Sequence, residues 1–148
     1  MWLSAVVAAL HYLALAIGLP AVFLRGRALR APLDDAGLRR LFAADTAWGI
    51  AAALWVVTGL LRAFAGLEKG AAFYLQSPLF YVKMALFLAI VALEIRPMLT
   101  LIRWRQARGR GSRVDTTSAP ALFKVNHIQL ALAVLMVFVA SAMARGLW

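Results

Sequence analysis

The chain has no cysteine, and its six acidic residues face sixteen basic ones. The first absence excludes disulfides, thiolate metal sites, cysteine-ligated iron–sulfur clusters and covalent haem attachment through C-x-x-C-H. It leaves open a haem held without covalent bonds. Charge of any sign is scarce: 15% of the 148 residues are charged and 64% are hydrophobic, with a mean hydropathy of +0.83. A water-soluble domain is about half apolar and about a quarter charged, so the composition argues against one. The net charge of +10 would suggest nucleic acid as a partner in a soluble protein. Here the arginines sit beside apolar segments, where they set membrane topology, and no nucleic-acid partner is expected.

What the chain does have is long apolar runs. Crossing about 30 Å of hydrocarbon takes about 20 helical residues at about 1.5 Å each. Runs of that length lie at about 2–24, 41–66, 78–101 and 121–144. They are continuous, without the dyad alternation of membrane strands, which favours helices over a barrel. The expected fold is therefore all-α, an integral membrane antiparallel four-helix bundle forming one membrane domain over residues 1–148. The first run is too long for a signal-peptide core and has no Lys or Arg ahead of it, so it is expected to be retained. Pro78 fits a helix start, and Pro97 is expected to bend or end the third span.

Basic residues orient the bundle. Arg25, Arg27, Arg30, Arg39 and Arg40 fall in the first loop, and Arg103, Arg105, Arg108, Arg110 and Arg113 in the third. The second loop offers Lys69, with Arg62 at its helix end. The positive-inside rule then places the first and third loops in the cytoplasm and both termini in the periplasm. The expected location is the bacterial inner membrane.

Ionisable groups inside spans cost about 2.5–3.5 kcal/mol each at mid-helix and need a partner or a purpose. His11, Asp45, Arg62, Lys83, Glu94 and His127 qualify. Counted at about 1.5 Å per residue from the outer face, His11 lies about 13 Å down, Lys83 about 7 Å and Arg62 about 6 Å. Asp45, Glu94 and His127 make an inner layer, expected to be a hydrogen-bonded clamp with nearby arginines. The histidines are about 15 Å apart in depth, which disfavours both ligating one haem iron. Around His11, the residues Ser4, Ala8, Leu15 and Gly18 share a stripe that lets a flat group or a helix approach. Trp48, Trp55 and Arg62 recur every seven residues, a face that can wall a ring and hold a carboxylate; Trp48 can alternatively anchor at the interface. Arg62, Glu68 and Lys69 lie together at the outer edge. A lysine such as Lys83 either snorkels or, stripped of water, offers a lone pair.

Two resemblances follow from these residues. Ala9-Leu10-His11 and Val82-Lys83-Met84-Ala85-Leu86 resemble the HemJ-type protoporphyrinogen oxidase family. The chain departs from that pattern where Leu19-Pro20 is followed by Ala21, and it has no histidine between its first two spans. Glu68-Lys69-Gly70, Phe73-Tyr74, Phe80, Lys83 and Met143-Ala144-Arg145-Gly146 resemble a family of small bacterial membrane proteins. That second likeness covers nearly the whole chain and implies the fold alone. The first implies haem b coordinated by His11, with Lys83 as second iron ligand or catalytic base and a porphyrin as substrate. The expected function is a haem-binding redox protein, with Arg62 and Trp55 completing the cofactor site. The alternatives are a non-catalytic subunit or scaffold, as a homo-oligomer or beside a partner membrane subunit, and, third, transport of a metal or small solute.

Overall fold

Hydrocarbon offers the backbone no hydrogen-bond partners, so apolar runs of this length satisfy their own N–H and C=O groups as helices. The computed structural model describes residues 2–67 and 70–147. It contains α1 (Trp2–Arg30), α2 (Asp35–Phe64), a short α3 (Ala71–Gln76), α4 (Pro78–Gly109) and α5 (Ala119–Ala144). No strand occurs among the described residues. Helices α1, α2, α4 and α5 are each long and apolar enough to cross a membrane. Large apolar side chains such as Ile17, Leu60, Leu88 and Phe138 point out from all four, and the lipid bilayer is what covers them.

The helices overrun the apolar windows at the arginine-rich end. Helix α1 continues six residues past Leu24, and α4 continues from Leu101 to Gly109. Hydropathy stops at the first arginines, but arginine is a good helix former and gives the backbone no reason to stop. A core at this end, including Leu29, Leu38, Leu41, Leu101, Trp104 and Leu122, holds the extensions together. Pro97 does not end its helix: it is buried within α4, and the residues beyond it join that core. Pro78 opens α4 as expected. Helix α2 begins where the Asp34 carboxylate accepts the Gly37 N–H at 2.7 Å. Glycine is required there, since a Cβ at Gly37 would lie 2.0 Å from the Pro32 carbonyl oxygen.

Helix α1 packs against α2 and α5, and α5 packs against α4. Helices α2 and α4 are joined by long side chains, Arg105 reaching Phe42, Asp45 and Thr46, and Arg108 reaching Asp35. A central core brings Val22, Trp48, Ile90 and Met136 together, and an outer one joins Ala63, Tyr74, Phe80 and Met143.

Candidate functional site

Two polar stations lie inside the bundle. The inner one is built around Arg25, which is fully buried at 0% exposure. Its Nε donates to Asn126 Oδ1 at 2.8 Å. Nη1 donates to Asp45 Oδ1 at 3.0 Å and Glu94 Oε1 at 2.7 Å. Nη2 donates to Glu94 Oε2 at 2.9 Å and Gln129 Oε1 at 2.8 Å. A guanidinium has five N–H donors, and each has an acceptor here. The Glu94 contact is the bidentate fork that arginine makes and lysine does not.

The acceptors are themselves fixed. Glu94 Oε2 also receives Gln129 Nε2 at 2.6 Å and the Trp48 indole N–H at 3.1 Å. Asn126 Nδ2 donates to the Val22 carbonyl at 2.9 Å. Asp45 Oδ2 receives Arg105, whose guanidinium lies 4.7 Å from the Phe42 ring centre. Two arginines thus balance two carboxylates, and the node draws on α1, α2, α4 and α5 at one level. Gly26 admits it: a Cβ there would come within 2.7 Å of Asn126 Nδ2.

The expected clamp of Asp45 and Glu94 with arginines is therefore present, with three corrections. His127 is outside it: the ring is exposed on α5, its Nδ1 3.2 Å from the Phe123 carbonyl. The seam between α1 and α5 at this level is taken by Asn126, one residue earlier. Trp48 is no interfacial anchor, being 3% exposed with its N–H on Glu94. Arg25 is not a loop residue but the hub. Its signal was in the sequence: stepping by seven from His11 along the small-residue stripe gives Gly18 and then Arg25. Asn126 and Gln129, three apart in an apolar run, were a second sign.

The outer station centres on His11. Its Nδ1 lies 2.8 Å from Thr58 Oγ1, and the Thr58 hydroxyl is also within bonding distance of the Leu54 carbonyl. A carbonyl can only accept, so the single hydroxyl proton goes to Leu54 and Thr58 Oγ1 accepts from His11. The imidazole is thereby held as the Nδ1–H tautomer, with its lone pair on Nε2. The ring rests near Gly59, where a Cβ would come 3.6 Å from His11 Cε1. Trp55 lies 6.4 Å from it, tilted 45°. Arg62 sits over the Tyr12 ring at 5.5 Å. Lys83, half-buried on α4, and Arg62 are near enough for their charges to act on the histidine. The structure thus brings His11, Trp55, Arg62 and Lys83 to one level, and adds Thr58, which sequence reasoning missed. Glu68 and Lys69 lie outside the described residues.

Between the stations, α2 and α4 leave a cleft of about 180 Å³ walled by Trp48, Ala52, Trp55, Phe87 and Ile90, with Glu94 at its inner end. An engineered cavity of ~150 Å³ holds one benzene ring, so this cleft is too small for a porphyrin. Trp48 and Trp55 both line it, whereas Arg62 does not. No group of three or more His, Cys, Asp or Glu side chains suited to a metal ion occurs among the described residues.

No curated protein and no solved structure matches the chain. A family profile does, over residues 3–147, a span that includes the four membrane helices except Trp2 and every residue of both stations. The chain belongs to the family described as "Predicted membrane protein (DUF2214)".

Proposed function

We propose that the chain is a b-type haem-binding redox protein of the bacterial inner membrane, in which His11 would hold the haem iron. The observation that carries this reading is the committed tautomer of His11. A neutral imidazole whose Nδ1–H is held by a second group, with Nε2 left to donate, is the arrangement in which histidine ligates metals. Haem would supply one-electron chemistry, and the protein would supply position and electrostatics. Arg62 would receive a propionate and Trp55, 6.4 Å from the His11 ring, would flank the porphyrin, which the cleft between α2 and α4 is itself too small to take. Lys83 serves as the second ligand or as the base facing a porphyrin substrate, whose oxidation is the finer form of this proposal. The basic end faces the cytoplasm and both termini the periplasm, because the arginines beside α1, α2 and α4 all gather at one end.

The test is the absorption spectrum of purified protein, oxidised and then reduced with dithionite, after haem supplementation. The expected result is a Soret band with b-type bands on reduction, lost in His11→Ala. Thr58→Val keeps the ligand but frees its tautomer, and is expected to weaken haem binding about 10- to 100-fold. Lys83→Met separates the two roles of Lys83: a shifted spectrum marks a ligand, and lost porphyrinogen turnover with an unchanged spectrum marks a base. A colourless preparation would overturn the proposal. It would favour the second reading, a subunit or scaffold of a larger complex, for which the saturated Arg25 node suits a rigid frame.

A further inference from the structure

His127 and Arg30 are left over by everything above, and they share a platform. The Phe123 ring, on the second turn of α5, has the His127 ring 4.1 Å away and the Arg30 guanidinium 5.1 Å away. The two polar groups are therefore no farther apart than those two distances laid end to end. Arg30 is the last residue of α1, so the platform bridges the α1/α5 seam at the basic end. Both side chains are exposed, Phe123 is half-buried, and Lys124 stands exposed beside them. Phe123 itself is anchored against the core at this end, which gives the pair a fixed base.

The Phe123 carbonyl can only accept, so His127 donates from Nδ1, and in the neutral form of the ring Nε2 is an acceptor. Arg30 offers donors and a positive charge. A matching ligand needs an anionic acceptor for Arg30 and, within the span of those two distances, a neutral donor for His127. The site lies past Leu24, where the apolar run of α1 gives way to arginines, and near the start of α5.

We propose that Arg30 and His127 on the Phe123 platform form a binding site for a hydroxyl-bearing anionic phospholipid of the phosphatidylglycerol type. The phosphate lies on Arg30, with Lys124 adding charge, and a glycerol hydroxyl donates to His127 Nε2. General attraction of anionic lipid to a basic surface would need no such arrangement, and would draw equally on the arginines of the α4–α5 loop.

The experiment is native mass spectrometry of the full-length protein, titrated with chain-matched phosphatidylglycerol, phosphatidic acid and phosphatidylcholine. Phosphatidylglycerol is expected to bind most tightly. Arg30→Gln should weaken both anionic lipids. His127→Ala should abolish the preference for phosphatidylglycerol over phosphatidic acid, about three- to tenfold, which is what one hydrogen bond between neutral groups is worth. Both side chains are exposed, so an unchanged melting temperature will show that the fold is kept. The control Arg110→Gln/Arg113→Gln, in the loop, should leave the preference intact. An unchanged lipid preference in His127→Ala would overturn the proposal. So would loop variants that weaken binding as much as Arg30→Gln does.

Discussion

Replacing Arg25 by methionine removes the hub of the node while keeping much of its volume. Asp45 retains Arg105, but Glu94 is left as a carboxylate inside the membrane with only Gln129 and the Trp48 N–H as donors. Breaking a buried pair from one side costs about 3–5 kcal/mol in soluble proteins. In membranes, hydrogen bonds between helices average about 0.6 kcal/mol each, because the unfolded chain also finds partners. Arg25 makes five of them, all to other helices, so this second route comes to about 3 kcal/mol. The two routes agree, and Arg25→Met is expected to destabilise the fold by about 3 kcal/mol. The measurement is reversible unfolding in mixed micelles with rising dodecyl sulfate, followed by circular dichroism. The double variant Arg25→Met/Glu94→Gln restores charge balance, since Asp45 and Arg105 then remain as a pair. It should recover at least about 1.5 kcal/mol relative to the sum of the single effects, within the range of coupling between contacting residues. A single variant within about 0.5 kcal/mol of the parent, or strictly additive effects, would refute the reasoning.

Gly26→Ala should disturb the same node sterically, because its Cβ meets an Asn126 amide pinned by two hydrogen bonds. The expected cost is about 1–3 kcal/mol in the same unfolding assay, the usual range for overpacking. At the α4–α5 loop, the Thr117 backbone N–H bonds the Asp115 carboxylate at 3.0 Å and holds its pKa below the ordinary value. A carboxyl lowered on folding stabilises its turn above the unfolded pKa, and that contribution is lost as pH falls through the folded one. An NMR titration of the Asp115 side chain should return toward the ordinary value in Thr117→Pro, which deletes the donor.

The membrane helices were legible because hydrocarbon imposes one rule on every backbone group, and the runs at 2–24, 41–66, 78–101 and 121–144 obey it. Their ends were not. Hydropathy marks where lipid stops, whereas helices begin and end by capping and packing: Asp34 caps α2, and the core at Leu101 and Trp104 carries α4 on beyond Pro97. The inner node was half legible. Asp45 and Glu94 stood out as rare acids in apolar runs, but Arg25 was hidden among the other arginines that follow the first apolar run. Composition cannot say which arginine of a cluster turns inward; the heptad step from His11 through Gly18 can. His127 illustrates the opposite failure, since depth alone grouped it with the node while helical phase set it facing out. Thr58 carried no signal, because a threonine within a span costs little and its value lies wholly in its partner.

The saturation of Arg25 bears on the order in which the molecule is made. Its acceptors lie on three other helices, and two of them, Asn126 and Gln129, belong to α5, which follows the other three in chain order. A nascent α1 beside α2 has only Asp45 to offer its guanidinium, too little to draw a cation away from the headgroups. Helix α1 is therefore expected to rest shallow at first, with Arg25 near water, until α4 and α5 supply Glu94, Asn126 and Gln129. Helix α1, ahead of the other three in chain order, would thus be placed after them, and with the ribosome stalled before α5, Arg25 is expected to remain open to water.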